Sequence, residues 1–213
     1  MLESKLQAVG SLIHINLTFA LISEKEALWV FGIDHVQQVS DHWEAVHALQ
    51  HCKGPLLWLE IDSVTDVAFA LKQTLRQENY IPTQIFISIG RLDILSTSTA
   101  VLREQFETMV QNCICVIDKS PRKRCVAKMI IAPIQHQLIY PTYNKQAAAR
   151  KKLNGINRKI NALAASNACL VTPSSGITGD QKYFLTDSDH CLSPLAVELL
   201  AHSWMLAVDS NKQ

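Results

Sequence analysis

Short, uniformly apolar runs alternate with longer runs of helical period, and this alternation constrains the fold more than any other feature of the chain. The first short run covers residues 27–31, and a run with apolar residues at helical spacing follows over 34–50. A strand that is apolar at successive positions is typical of a sheet buried on both faces, because a half-exposed strand alternates apolar and polar residues. A helical run after each such strand favours a parallel sheet with helices on both sides.

Five strands and five helices are predicted in this way. The strands cover residues 27–31, 55–61, 84–90, 126–134 and 168–171, and the helices cover 34–50, 64–77, 99–113, 144–165 and 192–207. The expected fold is α/β, a three-layer α/β/α sandwich whose five-stranded parallel sheet has the flavodoxin-like strand order. Because no linker divides the 213 residues, we expect one domain, with a core over 27–207 and an N-terminal extension over 1–26 packed on it.

Composition excludes several classes of protein. A hydrophobic content of 48% is too high for a disordered chain, and no apolar run reaches the roughly 18 residues of a membrane helix. The apolar stretch over residues 12–22 lacks a signal-peptide cleavage site. The six cysteines are expected as free thiols in a reducing compartment, cytoplasmic or nuclear. Cys113 and Cys115 have no second pair at zinc spacing, so neither a metal nor a cofactor is expected.

Charge is distributed very unevenly along the chain. Residues 119–179 hold 11 lysines and arginines and not one aspartate or glutamate, whereas residues 1–118 hold 7 basic and 14 acidic residues. A local positive field of this kind attracts nucleic acid or another polyanion, and a solvated helix face is the alternative interpretation. The candidate contacts are Arg122, Lys123, Arg124, Lys145, Arg150, Lys151, Lys152, Arg158 and Lys159.

Three sequence blocks follow predicted strands 1 and 3 or precede the last helix. They read Gly32-Ile33-Asp34, then Gly90-Arg-Leu-Asp, then Asp187-Ser-Asp-His190. In order and spacing they resemble the blocks of the SGNH (GDSL-type) hydrolases, which read Gly-Asp-Ser, Gly-x-Asn-Asp and Asp-x-x-His. The chain is also similar to the esterase-like domains of some retrotransposon proteins and to the C-terminal domain of the germ-plasm protein Oskar. The resemblance implies that these blocks meet at the carboxyl edge of the sheet.

Two departures from the SGNH pattern affect the expected chemistry. The resemblance places Asp34 at the position of the nucleophilic serine, and Leu92 at the position of the oxyanion-binding asparagine. A hydrocarbon side chain donates no hydrogen bond, and losing one oxyanion donor costs about 10²–10³ in rate. The resemblance therefore implies that Asp34, Asp187 and His190 occupy the three positions of the catalytic triad. It also implies that Gly90 is the one oxyanion-binding position that is retained.

These observations predict a non-catalytic binding module on an SGNH fold, with nucleic acid or another polyanion as its partner and a protein partner as a further possibility. An alternative is an active ester hydrolase that uses an unconventional nucleophile or an activated water. A third interpretation is an interaction domain whose basic face only increases solubility.

Overall fold

The computed structural model describes residues 28–32, 39, 42, 56–78, 82–119, 128–137, 146–167, 170–173, 176–185 and 191–209. The strands are β1 (Leu28–Gly32), β2 (Leu56–Leu59), β3 (Gln84–Ser88), β4 (Lys128–Ile131) and β5 (Leu170–Val171). The helices are α1 (Val67–Gln77), α2 (Arg91–Ser96), α3 (Thr99–Lys119), α4 (Gln146–Ser166) and α5 (Pro194–Asp209), with a 3₁₀ turn at Gln181–Tyr183.

The five strands form one sheet in the order β2-β1-β3-β4-β5, and every neighbouring pair is parallel. This order is the flavodoxin-like order, so the predicted fold class is confirmed. In such a sheet the carboxyl ends of all strands lie at one edge, where ligands bind in folds of this type. Gly32 at the end of β1 is in register with Ser88 at the end of β3.

Each face of the sheet carries its own buried cluster. Trp29, Phe31, Ile85 and Ile87 point to the face that α1, α3 and α4 cover. The residues between them point to the opposite face, where Phe86 meets Trp204 of α5 with ring centroids 4.5 Å apart. The strands are therefore apolar at successive positions because both sides of the sheet are buried, as the sequence predicts.

The main differences from the predicted elements lie at their ends. Helix α3 continues to Lys119, six residues beyond its predicted end at Cys113, because Ile114, Val116 and Ile117 still pack against the buried cluster. The short helix α2 is not predicted at all. Its six residues are too few for a period to be recognised in the sequence.

Two predicted segments lie mostly or wholly outside the described residues. Of the predicted helix over 34–50, only Val39 and His42 are described, and both are helical. The predicted extension over 1–26 lies outside them. Among the helices in the described part of the chain, none combines the length and the apolar character that a membrane crossing requires.

Candidate functional site

The carboxyl ends of β1 and β3 lie unusually close together at the sheet edge where the three sequence blocks are predicted to meet. Gly32 has φ +149°, and a Cβ on this residue would lie 1.8 Å from the carbonyl oxygen of Ser88. A glycine is therefore required at the first residue of the Gly32-Ile33-Asp34 block, for space as well as for backbone conformation.

Gly90, the predicted oxyanion position, begins helix α2 at the same edge. It has φ +111°, in the left-handed region, and its carbonyl oxygen accepts a hydrogen bond from the Ile94 N–H at 2.9 Å. Asp93 is buried and accepts hydrogen bonds from the Ser63 hydroxyl and the Val64 N–H, both at 3.1 Å. Leu92 is 42% exposed and offers no donor. The Asp93 carboxylate thus ties the turn after Gly90 to the segment that follows β2.

The other predicted triad positions, Asp34, Asp187 and His190, lie outside the described residues. The residues that flank 186–190 are held together, since the Leu185 N–H donates to the Cys191 carbonyl at 3.0 Å. Helix α5 starts after this segment and ends near the amino ends of β3 and β4, where Gln84 donates to the Val208 carbonyl. The N-terminal end of α5 is therefore the end nearer the carboxyl edge of the sheet, and residues 186–190 come shortly before it in the sequence.

A basic groove, defined by Arg103, Ala147, Arg150, Lys151, Asn154, Gly155 and Arg158, runs between helices α3 and α4. Its volume is about 530 Å³, and all four of its cationic side chains are on exposed residues. The α4 members lie at spacings of three and four residues, which place them on one face of the helix. Among the described residues that line it there is no carboxylate, so the positive charges are not compensated within the groove.

The basic groove continues toward the C-terminal half of α4 into a second hollow of mixed charge. Glu104 and Glu107 line this hollow together with Arg158 and Lys159. Lys159 Nζ lies 2.6 Å from the Glu107 carboxylate, so its charge is partly compensated there. The uncompensated positive charge is therefore concentrated toward the N-terminal half of α4.

Two other lysines of the acid-free segment are used within the fold. Lys152 Nζ donates hydrogen bonds to the carbonyl oxygens of Ile94 and Thr97, at the C-terminal end of α2. Lys128 is buried, and its Nζ donates to the Ala207 carbonyl at 2.8 Å. Burial lowers the pKa of Lys128. Both lysines fix helix ends, since cations near a helix C-terminus are favourable to the helix dipole.

Arg150 connects the basic groove to residues that follow β4. Its guanidinium lies beside Gly179, and its charge acts on His136. Burial lowers the pKa of His136, the positive charge of Arg150 lowers it further, and the carboxylate of Asp180 acts in the opposite direction. His136 Nδ1 is buried and has no hydrogen-bond partner among the described residues.

Of the predicted polyanion contacts, Arg122, Lys123, Arg124 and Lys145 lie outside the described residues. Arg150, Lys151 and Arg158 lie together in the basic groove. Arg103, Asn154 and Gly155 are groove residues that the sequence analysis missed. Arg103 precedes the acid-free segment, so a count of charges along the chain does not associate it with α4.

Cys113 and Cys115 lie on different sides of helix α3. Cys113 is buried and Cys115 is exposed. Burial raises the pKa of the Cys113 thiol to about 12. Because one thiol faces the buried cluster and the other faces solvent, the two side chains do not point to a common position.

Comparisons with known proteins identify the fold. No protein-family model and no curated protein matches the sequence. A lipase/acylhydrolase from Enterococcus faecalis has a similar structure, with a TM-score of 0.58 and 14% identity, covering 84% of this chain and 93% of that one. This chain has an SGNH-hydrolase-like fold. Similarity at such low identity shows the fold alone.

Two further solved structures are similar over most of their length. An α/β hydrolase from the metagenome of Lake Arreo, Spain, has a TM-score of 0.60 and 12% identity, covering 88% of this chain and 97% of that one. An acetylxylan esterase from Geobacillus stearothermophilus has a TM-score of 0.59 and 12% identity, covering 89% of this chain and 97% of that one. Catalytic mutants of that esterase alter a serine, an aspartate and a histidine, the last two being three residues apart.

Proposed function

We propose that this protein is a non-catalytic SGNH-fold module that binds single-stranded nucleic acid in the basic groove between α3 and α4. The observation that carries the proposal is the convergence of Arg103, Arg150, Lys151 and Arg158 on one groove with no described carboxylate among its lining residues. Arg150 and Lys151 line only the basic groove, whereas Arg103 and Arg158 also line the neighbouring hollow with Glu104 and Glu107. A bound polyanion would compensate the positive charge that the groove itself leaves uncompensated. Three of the four are arginines, whose planar guanidinium suits bidentate contact with phosphate.

The size and the floor of the basic groove favour a chain of phosphates over a flat anionic surface. Ala147 is exposed and has the smallest side chain on the lining, so a phosphate backbone can approach α4 closely there, between the longer cationic side chains. Electrostatic contacts of this kind read phosphates and carry little sequence preference. We therefore expect binding to depend strongly on salt and weakly on base composition.

The sequence blocks support the proposal that the protein has no serine-hydrolase activity. Asp34 stands where the resemblance places the nucleophilic serine, and Leu92 stands where it places a hydrogen-bond donor to the oxyanion. Without these two groups, Asp187 and His190 have neither the serine hydroxyl to activate nor a complete oxyanion hole to work with.

Titration of a fluorescent single-stranded oligonucleotide at several salt concentrations tests the proposal. Four phosphate contacts predict a log–log salt slope of about −3, from about −0.7 per contact. The variant Lys151→Glu/Arg158→Glu should weaken binding and flatten the slope. Lys72→Glu/Arg76→Glu is the matched control, because it makes the same charge change on exposed residues of α1, and α3 packs between α1 and α4.

Three results would overturn the proposal. No binding at low salt would leave the groove residues as a solvated surface. Equal weakening by both variants would show that net charge, not the basic groove, controls the interaction. Tighter binding of heparin or an acidic peptide than of the oligonucleotide would assign the groove to another polyanion.

An ester hydrolase is the second candidate function, and one specific observation favours it. The three-residue separation of Asp187 and His190 equals that of the aspartate and histidine altered in the catalytic mutants of the acetylxylan esterase. Turnover of p-nitrophenyl acetate by the unaltered protein and by His190→Ala distinguishes the two functions. Activity that His190→Ala abolishes would establish a hydrolase, whereas equal background rates support the binding module.

A further inference from the structure

His136 follows strand β4 at the carboxyl edge of the sheet, where ligands bind in folds of this type. The residue is half-buried, and its Nδ1 atom is buried without a hydrogen-bond partner among the described residues. Most buried polar atoms in proteins have a partner, so this nitrogen marks His136 as a residue whose role the fold alone does not explain. Because Nδ1 is enclosed, Nε2 is the only ring nitrogen that a ligand could contact.

Arg150 of the basic groove packs against the segment that follows β5. A Cβ on Gly179 would lie 3.4 Å from Nη2 of Arg150 and 3.5 Å from both Cζ and Nε. A point at this distance from all three atoms lies above the guanidinium plane, so the flat face of Arg150 covers the backbone at Gly179. The N–H groups lie in the plane and remain at its edge, and no described residue accepts a hydrogen bond from them. The edge of the guanidinium is therefore available to a ligand.

The topology of the sheet brings Arg150 and His136 to the same place. Strands β4 and β5 are adjacent and parallel, so the segments that contain His136 and Gly179 leave the sheet at the same edge. Asn157 of α4 pairs with the backbone N–H and the carbonyl of Ile134, both at 2.9 Å. Arg150 lies seven residues before Asn157, on the same side of α4 and nearer to the start of the helix. The positive charge of Arg150 accordingly acts on His136.

The surroundings of His136 favour its neutral form. Burial lowers its pKa, and the charge of Arg150 lowers it further. Among the described residues, Asp180 is the one carboxylate whose charge acts on His136, and this carboxylate accepts a hydrogen bond from the Thr178 hydroxyl at 2.6 Å. A neutral imidazole carries one proton, which makes the accessible nitrogen a donor when it is on Nε2. An uncharged donor next to an arginine suits an anion with several oxygen atoms.

We propose that a phosphate of the bound strand lies between Arg150 and His136, next to the residues that define the basic groove. Arg150 would bind this phosphate through its charge and its N–H groups, and His136 would donate its Nε2–H as a neutral partner. The path of the strand would then extend from the groove between α3 and α4 to the carboxyl edge of the sheet. This inference rests on the proposed function.

Titration with a fluorescent single-stranded oligonucleotide that lacks terminal phosphates tests the inference, at about pH 8, where a histidine is uncharged. In His136→Phe the affinity should fall about 3- to 10-fold, the effect of one lost hydrogen bond. The salt slope should stay unchanged, because a neutral donor releases no counterion, whereas Arg150→Gln should reduce the slope by about 0.7. His136→Gln should retain most of the affinity, since its amide N–H can replace the imidazole donor. His202→Phe is the matched control on an exposed histidine of α5, which covers the other face of the sheet, and it should change neither quantity.

Equal affinity of the unaltered protein and His136→Phe would overturn the inference and leave the proposed function standing. No binding by the unaltered protein at low salt would overturn both. A smaller salt slope in His136→Phe would contradict the neutral donor, since only a charged group contributes to the slope. If His136→Phe does not fold, nitrogen NMR of the imidazoles in the unaltered protein replaces it, with the signals assigned from His136→Gln. The oligonucleotide should shift the Nε2 signal of His136, and an unshifted signal would overturn the inference.

Discussion

The guanidinium of Arg103 in α3 lies across the backbone of α4 at Gly155, where its Nη2 donates to the Gly155 carbonyl oxygen at 3.3 Å. A Cβ on Gly155 would lie 2.9 Å from that nitrogen. Glycine inside a helix costs about 1 kcal/mol relative to alanine. A side chain at Gly155 would therefore displace an arginine of the basic groove, although alanine would be the better helix former at this position.

Gly155→Ala should weaken oligonucleotide binding without lowering the free energy of unfolding. We expect the free energy of unfolding to stay unchanged or to rise by up to about 1 kcal/mol, because the flexible end of Arg103 can move aside. The salt slope of oligonucleotide binding should lose about 0.7 in magnitude as Arg103 leaves the groove. Asn161→Ala, on an exposed residue of α4 outside the groove, is the control. An unchanged slope in Gly155→Ala would contradict this prediction, and Arg103→Ala then tests directly whether Arg103 takes part in binding.

Gly32→Ala should destabilise the fold severely. The new Cβ would meet the Ser88 carbonyl oxygen, which is backbone and cannot move without separating β1 from β3. We expect a loss of about 4 kcal/mol or more in urea unfolding, or failure to fold. Gly176→Ala is a matched control, because Gly176 also has positive φ, +67°, but nothing lies within 4 Å of its Cβ position. That control should lose only about 1 kcal/mol.

Lys151 and Lys152 are neighbours in sequence but should respond differently to the same substitution. Lys152→Met removes the donor to the Ile94 and Thr97 carbonyls, so stability should fall by about 1–2 kcal/mol while the salt slope stays constant. Lys151→Met should leave stability unchanged and reduce the slope by about 0.7. A reduced slope in Lys152→Met at unchanged stability would contradict this division of roles.

The positions of the strands could be predicted from the sequence because burial on both faces requires apolar residues at every position. Phe86 and Ile87 are adjacent and point to opposite clusters, yet both must be apolar. Helix α2 could not be predicted, because its position depends on contacts distant in sequence. Asp93 accepts hydrogen bonds from Ser63 and Val64, about thirty residues away, and no local period records this contact.

The candidate site could be predicted only in part. The acid-free segment contains Arg150, Lys151 and Arg158, and the structure places these three residues along one groove. The sequence does not reveal that Lys152 has a different role. Lys152 donates to backbone carbonyls, and these are present whatever the side chains are. The acid-free segment also does not include Arg103, which joins the groove only through the packing of α3 against α4.

The thiols of helix α3 should differ sharply in reactivity. Cys113 is fully buried and Cys115 is exposed, so a thiol reagent at neutral pH should label Cys115 in the folded protein and Cys113 only after unfolding. Mass spectrometry of proteolytic peptides from Cys113→Ala and Cys115→Ala variants distinguishes the two sites. Labelling of Cys113 at the rate of Cys115 would show that the core around α3 opens readily.

Because the Cys113 thiol is buried, the free energy of unfolding should fall at alkaline pH. The Cys113 pKa is raised from 9.0 to about 12 in the folded protein, so the unfolded chain loses this proton first as pH rises. Below pH 9.0 both states keep the proton and the thiol contributes no pH dependence. Between 9.0 and about 12 the folded state binds more protons, so the free energy of unfolding falls, by at most about 1.4 kcal/mol per pH unit from this group. Urea unfolding of the unaltered protein and of Cys113→Ala across this interval should show a shallower decline in the variant, and parallel declines would contradict the assignment to Cys113.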